Sequence, residues 1–346
     1  MNAEAAVAPA LRGHDRLMEH TLQANNTAPW MSTTRHRIRR APAALATILA
    51  ILATFAATAT QASAKTDVYW VAAVPVMWNV VPFEKDPMMP QTFTPAETIF
   101  QTVIYRRYTP GWGKPDPGVT ERPGDEEGIQ GPLLHARVGD HIVVHFKNMD
   151  TAFHNPHSMH FHGVVYTPSS DGSYIPGYSG LGADVPVGGT YTYRLYAGPD
   201  SWGVWPYHDH SPSMEQSIAG GLYGALSILR KGERAPDREF VVYFNETLSF
   251  MSVDGRAFLG STPIFHARVG DLVQWDVLAL GDNFHTFHVH GHRWLENGIP
   301  TDTKTIGPAE GFRIRWREES PGTWLYHCHV ETHMMDGMIG LYQVAR

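Results

Sequence analysis

Residues 205–210 read Trp205-Pro206-Tyr207-His208-Asp209-His210, and residues 324–329 read Trp324-Leu325-Tyr326-His327-Cys328-His329. Two further pairs of blocks match in the same order along the chain: His135 to Asp140 with His266 to Asp271, and His157 to Gly163 with His285 to Gly291. Three matched blocks in one order indicate an internal duplication, so the sequence predicts two copies of one domain.

The first copy is expected over residues 65–230 and the second over residues 238–346, with a short linker between them. Short segments rich in β-branched and aromatic residues alternate with Gly, Pro and Asp, and no long helical period is present. This pattern predicts an all-β chain with one β-sandwich per copy. The stretch from Pro82 to Gly131 is rich in Pro, Gly and charge, and we expect it to form long surface loops.

Residues 1–64 are expected to be an N-terminal extension and an export signal. Four arginines between Arg35 and Arg40 precede an Ala/Leu/Ile/Thr-rich apolar run, and Ala62-Ser63-Ala64 has the small residues of a cleavage site. Arg39-Arg40 also resembles a twin-arginine signal. The sequence therefore predicts an exported protein, periplasmic or extracellular, with an uncleaved membrane anchor as the alternative to a cleaved signal. Met31 is interpreted as the true start, and the alternative is that residues 1–30 form a short disordered extension.

The composition restricts the class of protein. The chain has 346 residues, 43% hydrophobic and 18% charged, and a formal net charge of −7. These values are typical of a globular protein and give no reason to expect a nucleic-acid partner. One cysteine excludes an intrachain disulfide, whereas 20 histidines suggest metal binding.

Eight of the histidines form His-X-His pairs at symmetric places in the two copies. Residues i and i+2 of a strand point to the same face, so each pair presents two imidazoles side by side. This spacing can give one ligand to each of two neighbouring metal ions. The pairs are His160/His162, His208/His210, His288/His290 and His327/His329.

Cys328 lies between two paired histidines, and its thiolate should face the opposite side of the strand. His285, His333 and Met338 are the further ligand candidates. Two His, one Cys and a weak axial Met are the ligands of a blue, electron-transfer copper. Zinc would suit the thiolate and imidazoles, but the Met and the histidine-rich neighbouring site favour copper.

Together these motifs resemble the multicopper oxidases, and in particular the two-domain, small-laccase type. The resemblance covers residues 130–346 well and residues 66–129 poorly. It implies two cupredoxin-like Greek-key sandwiches and four copper ions per functional unit: one type 1, one type 2 and two type 3. It assigns type 1 copper to His285, Cys328, His333 and Met338, and type 2 copper to His160 and His288. It assigns the type 3 pair to His162, His208, His210, His290, His327 and His329.

The first copy has Asp209, Met214 and Ala219 where the second has Cys328, His333 and Met338. We therefore expect no type 1 site there, and His157 is interpreted as structural. The same loss argues against the related copper nitrite reductases, whose type 1 cysteine lies in the first domain. The resemblance further implies a homotrimer whose cluster forms between the first copy of one chain and the second copy of the next.

Reduction of dioxygen needs protons as well as electrons. Glu331 and Asp171 are the candidate proton donors, with a purely orienting role as the alternative. Tyr166 matches a tyrosine near the cluster in small laccases that is proposed to supply an electron; the alternative is a packed aromatic. His292 lies outside the ligand pattern and is interpreted as structural.

The expected activity is a laccase-like oxidation of phenols or aromatic amines, with dioxygen as acceptor. Met88-Met89 and Met334-Met335 raise an alternative, a cuprous-ion oxidase for copper tolerance, because thioethers suit soft copper(I). A third interpretation is a copper-binding cupredoxin without catalysis, which would not need eight paired histidines.

Overall fold

The structure is a computed structural model that describes residues 64–116 and 128–346. The expected extension and export signal therefore lie outside the described residues, except for Ala64. No helix within the described ranges is long and apolar enough to cross a membrane.

The strands between residues 66 and 229 form one sandwich of two sheets. The first sheet has the order β4-β1-β6-β9-β8 and the second β5-β11-β10-β7, with β2 and β3 as a separate ribbon. Short helices lie at Pro95–Thr98 (α1) and Met214–Ala219 (α2). The strands are β1 (Thr66–Asn79), β2 (Lys85–Asp86), β3 (Gln91–Thr92), β4 (Ile99–Tyr108), β5 (Leu134–Arg137), β6 (His141–Asn148), β7 (His160–Phe161), β8 (Val165–Tyr166), β9 (Thr190–Tyr196), β10 (Gly203–His208) and β11 (Tyr223–Leu229).

The strands between residues 238 and 345 form a second sandwich. Its sheets have the orders β13-β12-β15-β20 and β14-β22-β21-β16-β19, with β17 and β18 as a ribbon. Helix α3 spans Glu331–Met335. The strands are β12 (Arg238–Thr247), β13 (Phe250–Val253), β14 (Ile264–Arg268), β15 (Leu272–Ala279), β16 (His285–Val289), β17 (Trp294–Glu296), β18 (Ile299–Thr301), β19 (Thr303–Ile306), β20 (Gly311–Arg317), β21 (Gly322–Cys328) and β22 (Ile339–Ala345).

The two sandwiches share one topology. In the first sandwich, β1 runs parallel to β6, and β5 runs parallel to β11. The equivalent parallel pairs of the second sandwich are β12 with β15 and β14 with β22. In the first sandwich, β10 lies inside its sheet, ends at His208 and pairs with β7, which begins at His160. In the second sandwich, β21 lies inside its sheet and pairs in the same way with β16, which carries His288. The all-β prediction is confirmed, and the duplicated blocks occupy equivalent strands.

Alternation of side chains explains why these segments form half-buried strands. In β6 every second side chain is buried, so Ile142, Val144 and Phe146 enter the first core. Trp275 is the largest fully buried side chain of the second core, where it packs on Phe287. A third apolar cluster joins strands of both sandwiches. Each sandwich therefore holds its histidine strands on a packed core.

One sequence expectation is wrong. Residues 82–131 were expected to be long surface loops, but β4 crosses this stretch and pairs with β1 along ten residues. Val103, Ile104 and Tyr105 of β4 are buried in the cores. The Pro, Gly and charged residues on both sides of this strand obscure its apolar run.

Candidate metal centres

The first histidine set lies where β7 and β10 pair. His160 and His208 are directly opposite each other in the antiparallel ladder, and His162 and His210 follow at the ends of the strands. Nε2 of His162 is 3.1 Å from Nε2 of His208. The ring centroid of His160 is 5.4 Å from that of His210. The spacing of two residues thus brings four imidazoles into one group, as expected from the sequence.

The second set repeats this arrangement on β16 and β21. His288 is opposite His327 in the ladder, and Nε2 of His290 is 3.1 Å from Nε2 of His327. The centroid of the His288 ring is 5.6 Å from that of His329. The two sets therefore have nearly the same internal geometry, which follows from the duplicated strands.

Main-chain carbonyls fix the tautomer of several of these rings. Nδ1 of His160 donates to the carbonyl of Asp171, and Nδ1 of His288 to that of Asp302, both at 2.7 Å. Nδ1 of His208 and of His327 donate to the carbonyl of the next residue, at 2.9 and 2.8 Å. Since the proton stays on Nδ1, Nε2 keeps its lone pair for a metal ion.

Burial favours the neutral form of three of the paired imidazoles. Desolvation, followed by the neighbouring histidines, lowers the pKa of His162 to about 4. Desolvation likewise lowers the pKa of His208 and of His327 to about 4. A neutral imidazole is the form that binds a metal, so these three rings can act as ligands near pH 7.

A third group surrounds the single cysteine. Sγ of Cys328 is 3.9 Å from Nδ1 of His285 and 3.7 Å from Nδ1 of His333. The two Nδ1 atoms are 3.2 Å apart. Met338 is buried beside them, and its carbonyl accepts a hydrogen bond from the N–H of Cys328. One thiol and two imidazole nitrogens converge, which is a donor set that fits copper.

The polar environment of this group also fits a cation. The buried Nε2 of His285 has no hydrogen-bond partner in the described chain, so the ring meets polar atoms only on its Nδ1 side. Burial raises the pKa of the Cys328 thiol, and burial also lowers the pKa of His285 to about 4. A metal ion would supply the positive charge that a buried thiolate needs.

In the first sandwich a carboxylate takes the place of the thiolate. The N–H of Ser158 donates to Oδ1 of Asp209 at 2.7 Å, as the N–H of Thr286 donates to Sγ of Cys328 at 3.3 Å. Both ring nitrogens of His157 are occupied, by Asp209 at 3.1 Å and by Asp150 at 3.3 Å. His157 therefore has no free nitrogen for a metal, which agrees with the structural interpretation of this residue.

The two histidine sets are separate within the chain. In the described ranges no ring contact joins a member of the first set to a member of the second. The first set opens instead into a cavity of about 790 Å³, whose other wall includes Glu246, Asp282 and Pro308. A single chain thus presents two half-sets of four histidines each.

The structure brings two of the three candidate catalytic residues to the first set. The ring of Tyr166 lies edge-on to His160, with centroids 6.1 Å apart, and Oδ1 of Asp171 is 3.6 Å from Nδ1 of His160. Burial, together with Asp171, raises the pKa of Tyr166. Glu331 is instead exposed at the start of α3, and its carboxylate makes no hydrogen bond or ion pair with the described residues.

Sequence reasoning missed two features. Carboxylates of Asp336 and Glu246 lie close enough to His333 to act against the desolvation that lowers its pKa. His292, interpreted as structural, is hydrogen-bonded through Nδ1 to the carbonyl of His290 and through Nε2 to buried Glu318. Glu246 and Glu318 have no spacing that marks them as partners of a histidine motif, so no local signal could have found them.

Comparisons with known proteins agree with this geometry. Family models described as multicopper oxidase match residues 113–233 and 233–346. The chain is 28% identical to Ferroxidase HEPHL1 of Homo sapiens, over 81% of this chain and 29% of that protein. It is 31% identical to a probable nitrite reductase-hydroxylamine oxidoreductase fusion protein of Kuenenia stuttgartiensis, over 64% of this chain and 28% of the relative.

A blue copper oxidase from Nitrosomonas europaea shares the fold, with a TM-score of 0.61 at 20% identity, over 81% of this chain and 86% of that one. The chain spans less than a third of the length of the two curated relatives.

Proposed function

The chain belongs to the multicopper oxidase family, whose members are copper-dependent oxidoreductases that use oxygen, and from this premise we propose that it is a laccase-like oxidase. It would couple one-electron oxidation of phenols or aromatic amines to four-electron reduction of dioxygen to water. The observation that carries this proposal is the convergence of three donor groups at the expected residues: one with a thiol and two of histidines alone.

The donor groups would bind copper ions of different types. His285, Cys328 and His333, with Met338 nearby, would hold a type 1 copper, and the eight paired histidines would hold one type 2 and two type 3 coppers. Copper bound in these sets supplies the storage of electrons and the reduction of dioxygen. Cys328 belongs to one set, while His327 and His329 on either side of it belong to another, so a single peptide link joins the two sets.

The residues around the first histidine set would handle protons. Asp171 lies beside His160 and interacts with Tyr166, and it is partly open to solvent. A carboxylate in this position can pass protons from water toward the oxygen site. For Tyr166 we propose the donation of an electron from the same place.

We propose that the complete histidine cluster forms between neighbouring chains of a homotrimer. Each chain carries two half-sets, and a head-to-tail contact would pair the first half-set of one chain with the second half-set of the next. Exposed apolar side chains accompany both half-sets. Tyr178 and Leu181 follow Asp171, and Leu295 and Ile299 precede Asp302. Burial of such side chains would favour association.

A second candidate function is the oxidation of metal ions. The carboxylates of Glu246 and Asp336 act on His333, whose outer edge is the expected entry for electrons. Negative charge there would attract a cation more strongly than a neutral phenol. The relative named as a ferroxidase supports this alternative, as do the exposed Met88 and Met89 for copper(I).

The remaining proposals concern the chain's location and boundaries. We propose that residues 1–64 direct export to the periplasm or the cell exterior, by a twin-arginine-like or an ordinary route. We propose domain boundaries at 65–230 and 238–346, and the last strand of the first sandwich ends at Leu229 while the first of the second begins at Arg238.

The test is the copper content per chain, measured with the visible spectrum and oxygen uptake on a simple phenol. Four coppers per chain, an intense blue colour and phenol-dependent uptake are expected. Full copper without phenol turnover would overturn the laccase proposal in favour of a metal-ion donor. One copper or none after reconstitution would overturn the oxidase and leave a copper-binding cupredoxin.

A further inference from the structure

A buried, hydrogen-bonded imidazole lies behind the turn that follows His290. The side chain of His292 is 4% exposed. Its Nδ1 is 2.7 Å from the carbonyl oxygen of His290, and its Nε2 is 3.1 Å from Oε1 of Glu318. Both ring nitrogens therefore lie within hydrogen-bond distance of an oxygen atom, one of the main chain and one of a buried carboxylate.

Glu318 is the carboxylate partner of this ring, and both of its oxygens accept hydrogen bonds. Its side chain is completely buried. Burial alone would raise the pKa of Glu318, but the donors around it, His292 first, lower it to about 2. The other donors are Nε1 of Trp316 at 2.9 Å, Oη of Tyr342 at 2.5 Å and the N–H groups of Glu319 and Ser320 at 3.0 and 2.9 Å.

The first sandwich fills the equivalent volume without any charge. In both sandwiches a glycine with positive φ, Gly163 or Gly291, ends the histidine block and packs on the ring of a tryptophan. The residues that follow and surround this turn are apolar in the first sandwich and polar or aromatic in the second. Val164, Leu195, Ala197 and Leu226 stand where the second sandwich has His292, Trp316, Glu318 and Tyr342.

The comparison shows that a sandwich of this topology can fill the same positions with apolar residues. Leu195, Ala197 and Leu226 belong to the first core, and Val164 packs against it. Replacement of both partners of a buried hydrogen bond by apolar groups of the same shape can be nearly neutral or stabilising. We therefore look for a role of the pair other than stability, and among the described residues its hydrogen bond to the metal-binding groups is the one to the carbonyl of His290.

We propose that His292, anchored by Glu318, is a positioning residue for His290. By holding the main-chain carbonyl of His290 it fixes the backbone from which that imidazole reaches toward His327. His327, the ring that His290 faces, is the residue next to Cys328 in the chain. The proposal rests on the proposed function, which makes His290 and His327 copper ligands.

The experiment compares two double variants. H292V/E318A removes both side chains of the hydrogen-bonded pair together, so that neither is left buried without the other. H292Q/E318Q removes the imidazole and the carboxylate but keeps an amide N–H that can donate to the carbonyl of His290. V164A is the matched control, because Val164 follows His162 by two residues in the first sandwich, as His292 follows His290 in the second. The readouts are the thermal midpoint of the copper-free protein and the retention of cluster copper against a chelator.

We expect H292V/E318A to fold, to keep its blue colour and to bind cluster copper about 10–100-fold less tightly, as is usual when a partner of a metal ligand is lost. H292Q/E318Q should recover most of that affinity, and V164A should match the wild type. Equal copper retention in H292V/E318A and the wild type would overturn the proposal. Equal losses in both double variants would overturn it too, since charge rather than the hydrogen bond would then matter.

The variant H292V/E318A could fail to fold, and the wild-type protein could fail to bind copper at the paired histidines. If H292V/E318A does not fold, H292V/W316L/E318A/Y342L reproduces the apolar packing of the first sandwich and takes its place in the test. If the wild-type protein itself binds no copper at the paired histidines, the proposed function fails. If the wild type loads fully and the variants do too, only the positioning role fails.

Discussion

Cys328 and His327 are consecutive residues that belong to two different donor groups. Sγ of Cys328 faces His333 at 3.7 Å, whereas Nε2 of His327 lies 3.1 Å from that of His290. Alternation along β21 turns the two side chains to opposite sides. A change at one residue should therefore affect one group and leave the other intact.

Cys328→Ser should abolish the intense visible colour and reduce oxygen uptake to background. A serine hydroxyl cannot replace the thiolate ligand, while the eight paired histidines are unchanged. Metal analysis and the visible spectrum of the purified variant measure both effects, and cluster copper should be retained. Thr332→Ala, at an exposed position of α3, is the control and should keep colour and turnover. Wild-type turnover in Cys328→Ser would refute the proposed electron route.

His160→Ala should have the opposite phenotype. Nε2 of this ring is free because Nδ1 donates to Asp171, so its removal takes away one cluster ligand. The visible colour should remain and oxygen uptake should fall to background. Copper content and oxygen consumption on a phenol check this outcome. Normal oxygen consumption would remove His160 from the cluster.

Mixing two inactive variants should restore activity if chains share their clusters. His160→Ala damages the first half-set and His288→Ala the second, so a mixed ring contains some contacts between two intact half-sets. With random mixing about a quarter of the contacts should be intact. The measurement is oxygen uptake after the two variants are unfolded, mixed and refolded with copper. No recovery above the separately refolded variants would argue that each chain builds its own cluster.

Glu246→Gln should separate the two classes of electron donor. Loss of one negative charge near His333 should lower kcat/KM for a cationic donor about fivefold, the equivalent of about 1 kcal/mol of charge interaction, and leave a neutral phenol unchanged. The effect should shrink as salt is added. Glu319→Gln, the same change at another exposed position, is the control. Equal effects on both donors would show that Glu246 does not select for charge.

The copper-free protein should lose stability as the pH falls from about 6.5 toward 4. His162, His208, His285 and His327 have pKa values lowered to about 4, while the unfolded chain takes up their protons near pH 6.5. The unfolded state therefore binds more protons in this window, and the free energy of unfolding rises with pH across it. Thermal midpoints measured between pH 4 and 7 test this. A midpoint independent of pH would contradict the burial of these rings.

The sequence predicted the fold and the donor groups because both depend on local spacing. A period of two determines which side of β21 carries Cys328, and the duplicated blocks identify equivalent strands. The strand β4 was missed because Pro, Gly and charged residues surround it. Glu331 is adjacent to ligand histidines in sequence, yet α3 turns it into solvent, so closeness along the chain did not bring it to the cluster.

Contacts between distant segments could not be inferred in the same way. Glu318 meets His292 only because β20 ends beside the turn after β16, and Glu246 comes near His333 from the end of β12. Neither carboxylate has a spacing that marks it as functional. Each is identified only by the contact that the folded chain creates.

The burial of the lone thiol makes the molecule its own reporter of unfolding. Cys328 is the only cysteine in the sequence, and it is fully buried. An alkylating reagent can reach it only when the second sandwich opens, so every modified molecule records one opening event. In the copper-free protein, the rate of labelling as a function of reagent concentration would distinguish the frequency of opening from its equilibrium population. The mass of the intact chain would show the result directly, with no engineered probe.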